Sequence, residues 1–398
     1  MRLTLEEVLE QVYRGLEDPE FQEALRRAVS NAEGKHLEKL RSHPYLSALA
    51  RQVREAKEEV INNIDTYVRK TMESLRRVKA TPYLAETASE AREIVYRIVG
   101  GEGPVVMSKS MVAEEVGLRD YLSSRGVEIW ETDLGQLLVQ LEHGKPMHTT
   151  APAIHLTVDR AARLVRDRLG IDLPPKPRPE DIVAAVRVFL REKFVRAKAG
   201  ISGANAIAAD TGAVVLVENE GNIRLVTGLP EKHIVIAGID KILPNLDIAL
   251  AEALVQAAYA GLYPPTYIDV IAGPSNTADI EHHRVYGAHG PRELHVVLVD
   301  NGRLNAARDP DLRDQLRCIR CGRCQWECPV WQQTANLWGG PVYGGPMGVL
   351  WTAITLGKEA GAGLAMLCLN CGRCDAVCPV EIPLSRLIRN LKKYYAGK

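Results

Sequence analysis

The sequence lacks several features that place a chain in a common class. No apolar run approaches the roughly 20 residues that span a bilayer, and the amino-terminal stretch MRLTLEEVLEQVYRGLEDPEF is charged rather than built on an apolar signal core. Lys plus Arg equals Asp plus Glu at 50 each, so no net charge favours nucleic acid or an anionic membrane. We therefore expect a soluble, cytoplasmic protein that meets a membrane only through partners, with no nucleic-acid partner and no integral membrane segment.

Cysteine is absent before Cys318, which excludes disulfides spread along the chain as staples. All eight cysteines fall between Cys318 and Cys378, and such crowding indicates a dedicated metal-binding segment. They form a first motif of Cys318, Cys321, Cys324 and Cys328, followed by Pro329, and a second motif of Cys368, Cys371, Cys374 and Cys378, followed by Pro379.

Both motifs read C-x2-C-x2-C-x3-C-P, and CIRCGRCQWECPV aligns with CLNCGRCDAVCPV as a short repeat. Three thiolates at this spacing wrap one side of a [4Fe-4S] cubane, while the fourth usually reaches the other cluster in two-cluster proteins. Zinc is the alternative, but zinc ribbons use separated C-x2-C pairs. The spacing predicts two [4Fe-4S] clusters, one on Cys318, Cys321, Cys324 and Cys378, the other on Cys368, Cys371, Cys374 and Cys328.

The segment between the motifs contains a Gly/Pro-rich turn at 339–348 and an apolar, helix-compatible stretch from Val349 onward. This long spacer resembles the α-helical ferredoxin domains of respiratory dehydrogenase and heterodisulfide-reductase iron–sulfur subunits. Trp326, Trp331 and Trp351 either cover the clusters or, as we favour, pack in the core. Basic residues around the motifs either offset the anionic clusters or dock an acidic redox partner. They are Arg313, Arg317, Arg320, Arg323, Arg373, Arg386, Arg389, Lys392 and Lys393.

The length of 398 residues exceeds one hydrophobic core and predicts several domains. Residues 1–80 alternate apolar and charged positions at helical period, which predicts a helical region. Residues 81–303 predict an α/β domain with a largely parallel sheet, and residues 304–398 the cysteine domain. The strands are expected in AREIVYRIVG, PVVMSKS, VEIWETDLG, AVVLVENEG, HIVIAGI and ELHVVLVD, with a helix containing Ala113 to Ser124.

Polar loops follow several of these strands, and ligands in open α/β sheets bind beyond the carboxyl ends of the strands. Ordinary turn chemistry explains each loop taken singly, because Gly, Asn, Asp and Ser dominate turns. We interpret His233, His289 and His295 as structural, since no cluster has metal-ligand spacing. The predicted ligand pocket consists of Lys109, Ser110, Asn205, Thr211, Glu218, Ser275 and Thr277.

Several strings resemble the lactate-utilization (LUD) domain: MSKSMVAEEVGL with EIWETDLGQLLVQL, then GISGANAIAADTGAVVLVENEGNIRLVTGLPEKHIVI, GPSNTADIE and HGPRELHVVLVDNGR. With two four-cysteine motifs behind them, the arrangement resembles the LutB-type iron–sulfur subunit of the L-lactate oxidation complex over residues 64–380. The resemblance implies a Rossmann-like fold related to sugar-phosphate isomerases, CoA transferases and folate cyclo-ligases. It also implies a role in oxidising L-lactate to pyruvate alongside partner subunits. Proteins of that type usually continue well beyond the second motif, whereas this sequence stops at Lys398.

Oxidation of a 2-hydroxy acid removes two electrons, whereas a [4Fe-4S] cluster normally passes one, so a two-electron centre is expected in the complex. No G-x-G-x-x-G in this sequence follows a strand and opens a helix. We therefore hypothesise that substrate chemistry occurs in a partner or at a partner interface. This chain would relay electrons between its clusters and a donor or acceptor protein.

Other functions stay open at this point. The LUD domain itself could be a CoA transferase-like enzyme or a ligand sensor with regulatory or structural clusters, in which Glu218 or Glu220 is the nucleophile or base and Lys109 contacts an anion. The chain could also be a scaffold of the complex. A last alternative is an electron-relay subunit of another hydroxy-acid or heterodisulfide-reductase-like complex.

Overall fold

The computed structural model of the chain describes residues 5–101 and 103–397. The helical prediction for the amino-terminal region is confirmed within them. The first helix buries an apolar stripe that contains Val8 and Val12, and Asp18 caps the second by accepting from the Phe21 amide at 3.1 Å. The helices are α1 (Leu5–Glu17), α2 (Pro19–Ala32), α3 (Lys35–Ser42), α4 (Tyr45–Asn62) and α5 (Ile64–Arg77).

The middle of the chain contains the strands, and its α/β class is confirmed. The longest strands are apolar on nearly every residue and almost wholly buried, which is typical of parallel strands covered on both faces. The strands are β1 (Thr81–Ala85), β2 (Val105–Met107), β3 (Ile129–Glu131), β4 (Ala199–Ser202), β5 (Ala206–Ala208), β6 (Val214–Glu218), β7 (Lys232–Gly238), β8 (Ile242–Leu243), β9 (Tyr267–Ile271), β10 (Asn276–Thr277), β11 (Val285–Tyr286) and β12 (Glu293–Val299).

The main sheet has six strands in the order β1-β12-β7-β4-β2-β3, and every neighbouring pair is parallel. The carboxyl ends of β7, β4, β2 and β3 therefore lie side by side at one edge. A second sheet has the order β8-β5-β6-β9, and β10 pairs with β11. These neighbouring strand ends position the loops described below.

Helices pack on both faces of the main sheet and on the second sheet. They are α6 (Ala88–Val99), α7 (Met111–Glu115), α8 (Leu118–Ser124), α9 (Leu134–Glu142), α10 (Val158–Leu169), α11 (Pro179–Arg196), α12 (Asn222–Gly228), α13 (Leu246–Tyr259) and α14 (Arg303–Arg308).

Two local predictions were wrong. AREIVYRIVG is not a strand: it lies in α6, where Thr87 caps the helix and Ala91, Ile94 and Val95 recur on one buried face at helical spacing. The helix expected to contain Ala113 to Ser124 is divided into α7 and α8, because Gly117 adopts a left-handed backbone with φ +64° between them.

Residues 304–398 are called here the cysteine segment, and its described part is helical, as the sequence between the two cysteine motifs predicts. The helix after the Gly/Pro-rich turn begins at Gly345, inside the predicted turn. The segment shares one hydrophobic core with α1, α2, α4 and α13. Its helices are α15 (Arg323–Trp326), α16 (Trp331–Thr334), α17 (Gly345–Leu356), α18 (Lys358–Ala365), α19 (Arg373–Ala376) and α20 (Leu384–Ala396). Among the described residues, no helix is both long and apolar enough to cross a membrane.

Candidate iron–sulfur sites and an adjoining cavity

A small buried cavity, called here the thiol cavity, takes cysteines from both motifs. Cys318, Cys321 and Cys324 of the first motif line it together with Cys378, the last cysteine of the second. Burial raises the pKa of the Cys321 thiol, and the nearby Cys378 and Cys318 thiolates raise it further. The rest of the lining is mostly apolar: Ile319, Gly322, Met347, Pro379, Val380, Ile382 and Leu384.

The other four cysteines approach one another nearer the surface. Burial raises the pKa of Cys328 to about 11, and the charges of Cys368 and Cys371 add to that rise. Burial also raises the pKa of Cys374, with further contributions from Asp375 and Cys328. Cys371 is exposed and Cys368 half-buried, so this group is more open to solvent than the cysteines of the thiol cavity, of which Cys378 is half-buried and the other three are buried.

The two motifs share one loop conformation. Gly322 and Gly372 have φ +74° and +75°, and the residues two positions earlier, Arg320 and Asn370, are also left-handed at φ +61° and +53°. Asn tolerates this conformation and Arg rarely adopts it. The repeat seen in the sequence is therefore a structural repeat, with an arginine at a strained position in the first loop only.

The donor sets fit iron–sulfur clusters. Bare thiolates are poorly solvated at these depths, which is why burial raises the pKa of Cys324 and its neighbours, and cationic iron would offset that cost. Backbone amides also point at sulfur: Asn370 N–H donates to Cys368 Sγ and Ile382 N–H to Cys378 Sγ, each at 3.4 Å. Such donors stabilise the anionic form of a cluster.

The tryptophans pack as core residues. Trp331 and Trp351 are fully buried within the shared core, and Trp326 packs against Trp331 with ring centroids 5.0 Å apart. The ring centroids of His148 and Trp326 are 4.3 Å apart. His148 Nε2 also lies 3.3 Å from the Gly322 carbonyl oxygen in the first cysteine loop.

Several of the basic residues are engaged by other groups of the chain itself, which neither of the two interpretations predicted. Arg313 pairs with Glu58 at 2.7 Å, and Arg317 and Arg386 pair with Asp314 at 3.3 Å and 3.0 Å. Arg323 pairs with Glu327, and Lys392 donates to the Cys368 carbonyl at 2.6 Å. Arg373, Arg389 and Lys393 are exposed beside the second motif.

A larger cavity of about 340 Å³, called here the edge cavity, lies where the carboxyl ends of β2, β3 and β4 meet the cysteine segment. Four residues of the predicted pocket line it: Lys109, Ser110, Asn205 and Glu218. Parallel strands bring these loops together, as ligand sites in such sheets require.

The other three predicted pocket residues lie elsewhere and have turn roles. Thr211 Oγ1 accepts from the Ala213 amide at 3.3 Å in the turn between β5 and β6. Ser275 Oγ accepts from the Gly290 amide at 3.2 Å, and Thr277 pairs with Val285 in the β10–β11 ribbon. Turn chemistry, the alternative weighed for each loop, accounts for these contacts.

Glu218 and Glu220 differ in their bonding partners and in their electrostatic surroundings. Glu218 Oε2 accepts from the Ile223 amide at 2.6 Å, and Oε1 pairs with Arg224 at 2.7 Å, so both oxygens are engaged at the start of α12. Burial and the nearby Asp133 carboxylate raise the pKa of Glu220 to about 7. Of the two, Glu220 is the better placed for proton transfer near neutral pH.

Sequence reasoning missed the contribution of the cysteine segment to the edge cavity. Arg320 and Tyr343 line it, as does Lys241, which lies between β7 and β8. One signal in the sequence could have indicated it: the first motif has Arg320 where the second motif has Asn370.

The three histidines have no ligand geometry. His233 is buried in the main sheet, where its Nε2 lies 2.8 Å from Ser202 Oγ, and burial lowers its pKa to about 3. His295 lies 2.8 Å from Glu293 and stacks on Tyr83, while His289 is exposed. In residues 5–101 and 103–397, no three His, Cys, Asp or Glu side chains are placed to hold a single metal ion.

Comparison with known proteins adds two domain matches and several full-length relatives. The LUD domain matches residues 68–299, and the 4Fe-4S dicluster domain matches residues 314–382. An uncharacterized electron transport protein, YkgF of Escherichia coli (strain K12), is 32% identical over 96% of this chain and 79% of its own length. Lactate utilization protein B of Bacillus subtilis (strain 168) is 32% identical over 98% of this chain and 80% of its own. That of Shouchella clausii (strain KSM-K16) is 33% identical over 95% and 78%.

A crystal structure of a DUF162 family protein from Deinococcus radiodurans covers 59% of this chain and 97% of its own, at 15% identity and a TM-score of 0.34. That likeness is too weak to bear on the fold.

Proposed function

Because the chain belongs to the LUD domain family and carries a 4Fe-4S dicluster domain behind the LUD domain, we propose that it is the electron-transfer iron–sulfur subunit of a complex that oxidises L-lactate to pyruvate. Its partners are the other subunits of that complex and a protein that donates or accepts electrons. Each bound [4Fe-4S] cluster supplies one-electron transfer, and this chain holds two of them.

The observation that carries the proposal is that cysteines of both motifs line the thiol cavity. Cys378 lies 50 or more residues along the chain from the other three thiols of that cavity, yet lines it with them. Crossed ligation of this kind brings two clusters close together in two-cluster ferredoxins. We assign Cys318, Cys321, Cys324 and Cys378 to the first cluster and Cys328, Cys368, Cys371 and Cys374 to the second.

The different exposure of the two sites supports a direction for the relay. The first site is buried against the α/β domain, where Arg320 links Cys318 to Asp240: its Nη1 donates to the Cys318 carbonyl at 2.7 Å and to Asp240 Oδ2 at 2.6 Å. The second site reaches the surface at Cys371. Electrons would therefore exchange with a partner protein at the second site.

The surface around the second site suits a protein partner. Met366 and Leu369 are exposed apolar side chains on either side of Cys368, with 46% and 67% of their surface accessible. Arg373 of the second motif and Arg389 and Lys393 of α20 are exposed basic side chains of the same part of the chain. Exposed apolar and basic side chains together favour a partner with an acidic docking surface.

The test is anaerobic purification of the full chain, alone and with its co-expressed neighbours. We expect about eight irons per chain and EPR signals of two reduced [4Fe-4S] clusters. L-Lactate should reduce them only when the partners are present. Clusters that lactate never reduces with the partners present would reject lactate as the donor, and about four irons with a single EPR signal would reject the two-cluster assignment.

A further inference from the structure

The edge cavity contains an arginine whose hydrogen bonds are incomplete. Arg320 is 4% exposed, and its Nη1 is engaged by Asp240 and the Cys318 carbonyl. Its Nε and Nη2 have no hydrogen-bond partner among the described residues. Buried guanidinium N–H groups without partners are rare, because each forfeits its hydration. These two donors are suited to an acceptor that enters the cavity.

The position of Arg320 is fixed by a strained backbone and by a stacking contact. Its backbone is left-handed at φ +61°, where the equivalent residue of the second loop is Asn370. Its guanidinium lies 3.8 Å from the centroid of the Trp351 ring. Backbone strain at a non-glycine residue is typical of sites where the orientation of a side chain is functional. We therefore infer that the Arg320 side chain has a function in the first loop that Asn370 does not have in the second.

Lys241 adds a second cation to the lining. It is 4% exposed, and the one contact of its ammonium with a described carboxylate is a long one of 3.5 Å to Glu252, which Lys57 approaches more closely at 3.2 Å. Burial lowers the pKa of Lys241 to about 8, and the charge of Arg320 contributes to the lowering. A ligand carboxylate between Arg320 and Lys241 would compensate both cations.

The same cavity also has an acidic part. Asp133 and Glu220 line it, and their charges act on the ammonium group of Lys109. Carboxylates accept hydrogen bonds from hydroxyl or ammonium groups, whereas an alkyl group has no hydrogen-bond donor.

We propose that the edge cavity binds a small carboxylate that has a hydroxyl or amino group on the carbon next to the carboxylate. Arg320 and Lys241 bind the carboxylate, and Asp133 and Glu220 accept from the neighbouring donor. The volume of about 340 Å³ is at the small end of ligand pockets, which suits a molecule of a few heavy atoms. The choice of a 2-hydroxy acid as ligand rests on the proposed function, whereas binding requires only the folded cavity, so a failure to bind would leave the electron-transfer assignment standing.

The experiment is calorimetric titration of the anaerobic, iron-loaded full chain with L-lactate, L-alanine and propionate. We expect L-lactate or L-alanine to bind at least tenfold more tightly than propionate, which has the carboxylate and lacks the donor. The stronger of the two identifies the donor as hydroxyl or amine. Equal binding of all three, or no binding of any, overturns the proposal.

Variants test the assigned residues. Arg320→Asn introduces a residue that tolerates the left-handed backbone. Lys241→Met lies outside the cysteine motifs, and Glu252 still pairs with Lys57 in that variant. Each should weaken binding at least tenfold, and Lys241→Met should do so with iron content unchanged. Lys145→Met is the control, since Lys145 is a half-buried lysine that donates to the Gly340 carbonyl at 3.3 Å and lies outside the cavity lining. Wild-type affinity in Lys241→Met, or equal losses in Lys241→Met and Lys145→Met, would refute the assignment even if Arg320→Asn failed to fold.

Discussion

At the scale of single residues, Gly322 and Gly372 have nearly the same backbone conformation and different surroundings. A Cβ on Gly322 would lie 2.6 Å from the His148 imidazole, whereas one on Gly372 would meet nothing within 4 Å. His148 cannot move aside easily, because its Nδ1 accepts from the Thr150 and Ala151 amides at 3.2 Å. The first loop is therefore packed against the α/β domain and the second is not.

Alanine at the two glycines should separate backbone strain from packing. Each substitution forces alanine into a left-handed conformation at a cost of roughly 1–2 kcal/mol. Gly322→Ala should cost a further 1–3 kcal/mol or so through overpacking. The measurement is the anaerobic thermal midpoint by circular dichroism, and equal midpoints for the two variants would contradict the packing argument.

Single cysteine substitutions test the crossed ligand sets. Cys378→Ser should lose the same EPR signal as Cys321→Ser, and Cys328→Ser the same signal as Cys371→Ser, because each pair would serve one cluster. If each motif instead held its own cluster, Cys328→Ser would match Cys321→Ser.

His233 should make stability depend on acid pH. Burial, with a smaller contribution from the charge of His295, lowers the pKa of folded His233 from 6.5 to about 3. Below pH 6.5 the unfolded chain takes up a proton that the folded chain does not, so this contribution is complete above pH 6.5 and is lost towards pH 3. The slope is about 1.4 kcal/mol per pH unit.

The check is the unfolding free energy of His233→Gln and of the wild type at pH 7 and pH 5. The wild type should lose about 2 kcal/mol more than the variant over this interval. His289→Gln is the control, because His289 is exposed. Parallel losses in all three proteins would show that His233 is not the group responsible.

At the scale of elements, α18 packs closely on α17 through one glycine. A Cβ on Gly361 would lie 2.6 Å from Ala353 Cβ and 2.8 Å from the Val349 carbonyl, both in α17. Gly363 of the same helix has no atom closer than 3.8 Å. The two helices help to form the core that encloses the thiol cavity.

Alanine should have opposite effects at these two positions. Gly363→Ala should raise stability by about 0.5–1 kcal/mol, because alanine favours the helix. Gly361→Ala should lower it by about 1–3 kcal/mol, because the added methyl group separates α18 from α17. Thermal midpoints and iron content measure both effects, and a stabilising Gly361→Ala would mean that the helices can separate without cost.

At the scale of the whole molecule, the first and last parts of the sequence share one core. Val8, Phe21 and Val53 from the amino-terminal helices belong to the same buried cluster as Trp331 and Trp351. Gln22 Nε2 also donates to the Gln333 carbonyl at 2.9 Å. The cysteine segment therefore depends on helices that precede the LUD domain in the sequence.

A fragment of residues 304–398 should not hold its clusters as the full chain does. Without α1, α2 and α4, a large apolar surface of the cysteine segment faces water. We expect the reconstituted fragment to retain well under half of the iron per chain found in the intact protein, and to aggregate. Iron content and gel filtration after anaerobic reconstitution provide the measurement, and a monomeric fragment with about eight irons would refute the dependence.

The sequence by itself determined what is local or repeated. The helical period predicted α1 to α5, and short apolar runs predicted β6, β7 and β12, because periodicity reports which face of an element is buried. The cysteine spacing predicted iron–sulfur ligands, since chain geometry over three residues limits what the thiols can hold. Periodicity failed at α6, where a short apolar run is compatible with either helix or strand.

The tertiary structure alone decided which distant residues meet. Packing brings Arg320 and Lys241 into the cavity that Lys109 and Glu218 line, and it leaves Thr211 and Ser275 in separate turns. Loop composition does not distinguish these cases, because a turn and a ligand site use the same residue types. The parallel sheet order determines which strand ends are neighbours, and the shared core positions the first cysteine loop over them. Both depend on contacts between residues far apart in the chain, which no local pattern encodes.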